Sequence, residues 1–263
     1  MGEVIVITSG KGGVGKTTTV ANVGTALSLR GKKTVVLDAD IGLRNLDVVM
    51  GLENRIVYDI VDVVEGVCKL KQALIKDKRF ENLYLIPAAQ TRDKNAVSPE
   101  QMKELCDQLR ESFDYVLIDC PAGIERGFKN AIAGADRAIV ITNPEVSAVR
   151  DADRIIGLLE ANEITDVKLA INRVRHDMVE RGDMMGKEDI VEILRIELLG
   201  IIPDDEAVII STNKGEAAIM DPKSKAGQAY KNIAARIMGE EVPLLDLRVE
   251  ETFLQKLKRV FSK

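Results

Sequence analysis

Ser9-Gly10-Lys11-Gly12-Gly13-Val14-Gly15-Lys16-Thr17-Thr18 decides how this chain folds. The apolar run Val4–Thr8 leads into it and a helical pattern, Thr17–Arg30, leads out, so a glycine-rich loop joins a buried strand to a helix. Gly10 to Thr17 satisfies G-x-x-x-x-G-K-[ST] in the strand–loop–helix setting that a phosphate-binding loop requires. The glycines let backbone N–H groups turn inward around phosphate oxygens, and the helix N-terminus that follows favours anions. Gly12, Gly13, Val14, Gly15, Lys16, Thr17 and Thr18 are therefore the expected nucleotide cradle. Lys16 is placed to bridge β- and γ-phosphates, and the Thr17 hydroxyl to ligate Mg²⁺. A chance glycine-rich turn is the competing reading, and the flanking elements argue against it.

Lys11 adds a feature that a plain phosphate loop lacks. A lysine at the start of the loop does not easily fold back onto phosphates that its own backbone surrounds. It can reach those of a facing copy, supplying charge in trans as an arginine finger does. The bland alternative is a solvated surface lysine.

Beyond the loop, short Val/Ile/Leu-rich runs alternate with helical stretches. Strands are expected at Val4–Thr8, Thr34–Asp38, Leu83–Ile86, Tyr115–Asp119, Arg137–Thr142, Lys168–Asn172 and Leu199–Ile202. Their nearly continuous apolar character suits strands covered on both faces. Helices are expected at Thr17–Arg30, Pro99–Glu111, Ala148–Glu160, Lys187–Glu197 and Lys223–Met238. Strands spaced by helices imply right-handed crossovers and an α/β fold, a doubly wound, mainly parallel sheet with helices on both faces. One domain is read over 1–239, followed by a connecting segment and tail over 240–263.

In such sheets ligands bind beyond the carboxyl ends of the strands. Three acids stand there: Asp38 and Asp40 after the second strand, and Asp119 closing Tyr115–Ile118. With Thr17, Asp38 and Asp119 are the candidates to hold Mg²⁺. No Gln follows Asp119 where a Ras-like enzyme keeps its water-orienting residue, so Asp40 is the choice to position the attacking water. A turn or helix cap is the structural alternative for any one of these acids. Asn172 closes the sixth expected strand at the sheet edge and can donate to and accept from a purine edge together. Pro203-Asp204 follows the seventh strand and offers backbone contacts to the same base; a simple turn role is the alternative for Asn172.

Composition limits the other possibilities. The 263 residues are 46% hydrophobic and 30% charged, enough for a sizeable core and against a disordered body. No apolar run approaches the roughly 18 residues of a membrane span. The N-terminus lacks the basic segment and cleavage site of a signal peptide. Cys68, Cys106 and Cys120 form no CxxC and fit a reducing cytoplasm, and a lone histidine, His176, argues against a Cys/His zinc site. A net charge of −5 speaks against a nucleic-acid coat protein.

The loop Lys11–Thr18 resembles the deviant Walker A loop of the ParA/MinD ATPases. Asp38-Ala-Asp-Ile-Gly-Leu-Arg-Asn-Leu-Asp47, Ile86-Pro-Ala-Ala-Gln-Thr-Arg-Asp93, Asp119-Cys-Pro-Ala-Gly-Ile-Glu125 and Thr142-Asn-Pro-Glu-Val-Ser-Ala-Val-Arg-Asp151 resemble its septum-placing branch. The likeness runs from Val4 to Lys263. It implies a Mg²⁺-dependent ATP hydrolase that dimerises with ATP and sits peripherally on the inner face of the cell membrane. It also implies recruitment of a MinC-like inhibitor of FtsZ assembly, and a MinE-like activator or other topological factor. Carried over by matching motifs, Lys11 is the trans lysine, Lys16 and Thr17 the phosphate and Mg²⁺ residues, Asp40 the residue that handles water and Asp119 the second-strand acid. Asp151–Asp153 matches a partner-contacting surface. Cys120 stands where many relatives carry Ser.

Thr252–Lys263 reads without any resemblance. At about 100° per residue, Phe253, Leu254, Leu257, Val260 and Phe261 fall in an arc of about 120°. Lys256, Lys258 and Arg259 lie on the other side, with Gln255, Ser262 and Lys263. An apolar stripe backed by cations marks a helix lying in an anionic lipid surface; a helix docked on the core is the alternative. A helix this short is marginal in water and is expected to fold on the bilayer. Burial contributes roughly 1.5–3 kcal/mol per side chain and each cation about 1 kcal/mol. Ordering costs about 1–2 kcal/mol per residue, so one tail binds weakly. Two tails in an ATP-held dimer gain about 10²–10⁴ in avidity.

Three other readings stay in view. A ParA-type DNA-partitioning ATPase would hold DNA on a basic dimer surface, against the overall acidity; no nucleic-acid partner is expected. An iron–sulfur carrier would need cysteines from two subunits, and Cys120 lacks a plausible second ligand. A flagellar-placement relative would normally carry an N-terminal extension before the loop.

Overall fold

The computed structural model describes residues 1–93, 96–124 and 126–247. Eight strands form one sheet: β1 Glu3–Thr8, β2 Thr34–Asp38, β3 Ile75–Lys76, β4 Leu83–Ile86, β5 Tyr115–Asp119, β6 Arg137–Thr142, β7 Val167–Val174 and β8 Glu197–Pro203. Their order is β3-β4-β2-β5-β1-β6-β7-β8, all parallel except β3, which pairs antiparallel with β4 at the edge. The two-residue strand β3 is too short for any periodicity to announce it. β1 is central, its residues 4–8 fully buried between β5 and β6.

The larger helices are α1 Lys16–Leu29, α5 Pro99–Arg110, α7 Val146–Ala161, α9 Lys187–Leu194, α10 Glu206–Asn213 and α11 Lys225–Ile237. Shorter ones are α2 Leu46–Val49, α3 Ile60–Val64, α4 Leu70–Ala73, α6 Arg126–Ile132 and α8 His176–Glu180. Two apolar layers flank the sheet. One takes Met102, Leu105, Cys106 and Leu109 of α5 with Val149, Ala152, Ile155 and Leu159 of α7, each set at helical spacing. The other packs Val20, Val23 and Leu27 of α1 against Ala229, Tyr230 and Ile233 of α11. Ser98 starts α5 by accepting from Gln101 N–H at 3.2 Å, with Pro99 in the first helical position.

Several element ends shift by one or two residues from expectation, and three differences carry consequences. α9 stops at Leu194, not Glu197, because Arg195 adopts a left-handed conformation (φ 53°) and Glu197 already begins β8. β7 runs through Asn172 to Val174, so Asn172 lies inside the strand. β7 is also one strand in from the edge, which β8 occupies, and Pro203 belongs to β8. After α11 the chain is held to the body: Arg236 donates to the carbonyls of Leu199, Val242 and Pro243. Among the described residues no helix is long and apolar enough to cross a membrane.

Candidate functional site

The loop 9–15 leaves the centre of the sheet, where neighbouring crossovers run to opposite sides and a crevice opens above the strand ends. Gly15 ends the loop at φ 100°, a conformation that L side chains avoid, and an added Cβ would lie 2.2 Å from Asn172 Nδ2. The turn and the strand β7 therefore both require glycine there. Its carbonyl accepts from Thr19 N–H and from Thr19 Oγ1, at 2.9 and 2.8 Å, which starts α1. Ser9 Oγ donates to Lys11 O at 2.8 Å and braces the loop's first turn. At Gly10 an added Cβ would strike Asp151 O at 2.3 Å, so the loop backbone rests directly on α7.

Lys16 is buried in the crevice, whereas Lys11 is about half exposed. Lys11 Nζ lies 3.6 Å from Glu145 Oε2 and 3.4 Å from Ser147 Oγ. It thus reaches across to the start of α7, not back over its own loop. Glu145 and Ser147 are partners that sequence reasoning missed: they sit 134 and 136 residues from Lys11, and no local signal links them.

Beneath the loop, Asp38 and Asp119 face each other across the β2–β5 register. Both are buried. Asp38 accepts from Asp40 N–H at 2.9 Å and from Asn45 and Leu46 N–H at 3.1 Å each, so it shapes the segment that carries Asp40. Burial drives its pKa up against those three N–H donors. Asp119 rises too, from burial first and then from Asp38's charge, opposed by the Thr17 hydroxyl and by Lys16. Asp119 Oδ1 is buried with no hydrogen-bond partner. Two adjoining buried carboxylates do not both ionise unless a cation joins them. The orphaned oxygen, the Thr17 hydroxyl and the all-oxygen donor set fit Mg²⁺, which takes few protein ligands and completes its shell with water and phosphate. No group of three or more His, Cys, Asp or Glu that could hold a metal occurs among the described residues.

Asp40 is half-buried at the mouth of the crevice. The loop after it is fixed by the ion pair of Arg44 and buried Asp47 at 3.1 Å, with Arg44 at φ 43°. This pair also escaped the sequence reading, although both residues lie in its quoted motif.

The structure sets Pro203 and Asp204 beside Val174, two residues beyond Asn172. Val174 pairs with Pro203 across an irregular register, and Asp204 N–H donates to Val174 O at 3.0 Å. Arg173 at φ 57° makes the bulge that turns Asn172 under the phosphate loop. There Asn172 Nδ2 donates to Val14 O at 2.7 Å, and its Oδ1 accepts from Arg173 N–H at 2.9 Å. Asn172 thus braces the cradle first, leaving one N–H and one lone pair for a base. Asp205 holds the following loop by accepting from Ala207 N–H, Ser224 Oγ and Ala226 N–H.

Cys68, Cys106 and Cys120 are all free and buried. Glu125 and the tail residues Phe253, Leu254, Lys256, Leu257, Lys258, Arg259, Val260 and Phe261 lie outside the described residues.

Comparison with known proteins agrees with this fold. A family profile described as an AAA domain matches residues 2–172. The septum site-determining protein MinD of Bacillus subtilis is 62% identical over 265 residues, covering 100% of this chain and 99% of its own. Among solved structures, the MinC:MinD cell division complex of Aquifex aeolicus matches with TM-score 0.87 and 51% identity, over 93% of this chain and 99% of that one. The septum site-determining MinD of Pyrococcus horikoshii, complexed with Mg-ADP, matches with TM-score 0.82 and 31% identity over 90% and 96%. The chain belongs to the family of MinD septum site-determining ATPases.

Proposed function

We propose that this chain is a Mg²⁺-dependent ATPase whose ATP-bound dimer sits on the inner face of the cell membrane and recruits a MinC-type division inhibitor. The observation that carries the catalytic part is the buried Asp38–Asp119 pair beneath the loop, with Thr17 bonded to one of its members. Thr17, Asp38 and Asp119 would hold Mg²⁺, directly or through water, and the ion would neutralise charge between the β- and γ-phosphates. Lys16 binds those phosphates from the loop. Asp40 orients a water molecule whose oxygen attacks the γ-phosphorus; the bond to the β–γ bridging oxygen breaks, and ADP and phosphate leave. Lys11, turned towards α7, meets the phosphates of a second copy and supplies the charge that its own site lacks. Asn172 with Pro203 and Asp204 receives the base.

Residues 240–263 act as connecting segment and membrane tail, so ATP binding becomes membrane residence through paired tails. The Aquifex relative solved with MinC supports a MinC-type partner, and Asp151–Asp153, in the second turn of α7 where Asp151 meets the loop at Gly10, is the surface we assign to it. A MinE-like factor or another topological partner would trigger hydrolysis or position the dimer.

Co-sedimentation with anionic liposomes tests this reading, with ATP against ADP, and with the intact chain against one ending before Thr252. ATP-dependent binding that disappears on truncation is expected. No lipid binding in either nucleotide overturns the membrane reading, and salt-sensitive retention on DNA would replace it with a partitioning role.

A further inference from the structure

A pocket of about 450 Å³ beside β7 and β8 takes no part in the nucleotide chemistry. Val174, Val179, Met185 and Ile201 line it, together with Leu245 and Leu247 of the chain's own C-terminal segment. A void of about 150 Å³ already admits a benzene ring. The rim carries charges of both signs, Lys187 against Glu188 and Asp246, around a lining that is mostly apolar.

Where the chain runs selects the occupant. Arg236 Nε donates to Val242 O at 3.0 Å, Nη2 to Pro243 O at 2.8 Å and Nη1 to Leu199 O at 2.6 Å, which pins 242–243 beside β8. From that clamp, Leu244–Leu247 run along the pocket as part of its wall. Residues 248–263 therefore begin at its rim. Phe253, the first residue of the apolar stripe, lies six residues beyond Leu247, within about 20 Å of extended chain. A tethered segment meets such a surface at an effective concentration in the millimolar range. An amphipathic stretch too short to hold a helix alone needs an apolar surface, and this is the one delivered to it.

We propose that the stripe Phe253–Phe261 docks in this pocket in the nucleotide-free monomer, so that pocket and membrane compete for one tail. The proposal rests on the membrane reading of the tail and adds its regulation: the monomer withholds a segment that the dimer presents.

Backbone amide exchange of the nucleotide-free full chain against a chain ending at Leu247 tests the docking. Slower exchange in the full chain across 171–188 and 198–203 is expected, and equal exchange overturns it. Val179→Lys in the full chain puts a charge inside the pocket and tests the competition. If the docked form outweighs the free form by ten, apparent affinity for phosphatidylglycerol-containing vesicles without nucleotide rises about tenfold. Binding with ATP stays unchanged. Parent-like binding without nucleotide overturns the competition. If neither protein sediments with any nucleotide, the membrane reading falls, and the exchange result decides the docking by itself.

Discussion

Asp205 stands between the N-termini of two helices and holds both. Its Oδ1 accepts from Ala207 N–H at 2.9 Å and caps α10. Its Oδ2 accepts from Ser224 Oγ at 2.8 Å and from Ala226 N–H at 3.0 Å, where α11 begins. Asp205→Ala removes all three bonds. The cap is worth about 1 kcal/mol. Each remaining bond contributes about 1 kcal/mol, less than a buried charged acceptor would give because solvent screens this part-exposed carboxylate. The sum of about 3 kcal/mol lowers the melting temperature by about 6–12 °C at roughly 2–4 °C per kcal/mol. Asp205→Asn keeps an acceptor and the cap geometry but loses the charge that both helix dipoles favour, and costs about 1 kcal/mol. Burial alone would raise this carboxyl's pKa, but the N–H groups of Ala226 and Ala207, the Ser224 hydroxyl and the Lys225 N–H hold it below its ordinary value. The folded pKa is therefore the lower one. Its stabilisation is fully present above the unfolded value, about 3.9, and is lost as pH falls through the folded value. Thermal denaturation followed by circular dichroism at pH 7, 5 and 3 is the assay. The gap between parent and Asp205→Asn should hold from pH 7 to 5 and close below about pH 4. An alanine variant melting within about 1 °C of the parent, or a gap unchanged at pH 3, refutes the reasoning.

Asp119→Asn removes one of two facing buried carboxylates. The nucleotide-free protein should gain about 1 kcal/mol while Mg²⁺ ceases to tighten ADP binding in titration calorimetry; a lower melting temperature would count against the repulsion. Gly15→Ala forces a side chain into φ 100° and against Asn172 Nδ2, costing about 1–3 kcal/mol; unchanged ADP affinity would contradict that geometry. Lys11→Ala breaks only exposed contacts, to Glu145 and Ser147, so stability should move by less than about 0.5 kcal/mol, whereas ATP turnover falls about 10³-fold or more if the lysine acts in trans. Cys106 and Cys120 have thiols pushed up to about 12 by burial. Ellman's reagent should therefore label neither until guanidinium unfolds the chain, and rapid native labelling of either would contradict their burial.

How much of this was legible in the sequence depended on whether a feature is local. Each of the seven longer strands holds a nearly continuous apolar run closed by a polar residue or a turn, and the phosphate loop carries its own spacing, so both could be read directly. α10 was missed because Ala207-Val208-Ile209-Ile210 has the β-branched character of a strand, although Asp205 as cap and Lys214-Gly215 as stop bracket a helix. α9 was read three residues too long because Ile193, Leu194, Ile196 and Leu198 continue an apolar pattern through the point where Arg195 turns left-handed. In the site, the acids at strand ends were found because a strand end is a local position. What lies opposite each acid was not local: Asp38 and Asp119 face each other only through the β2–β5 register.

Asn172 shows the same limit most sharply. A strand-end Asn is a fair candidate for a base contact, yet the bulge at Arg173 moves it inside the strand and points its amide at Val14, 158 residues away. That bond explains two positions together: Gly15 must lack a side chain because Asn172 occupies the space, and Asn172 must be a short amide because only a donor satisfies the loop carbonyl. Asn172→Asp separates the two roles. A carboxylate cannot donate to Val14 O, so the loop should loosen, and ADP and inorganic phosphate should both bind more weakly. If Asn172 met only the base, phosphate binding would be untouched.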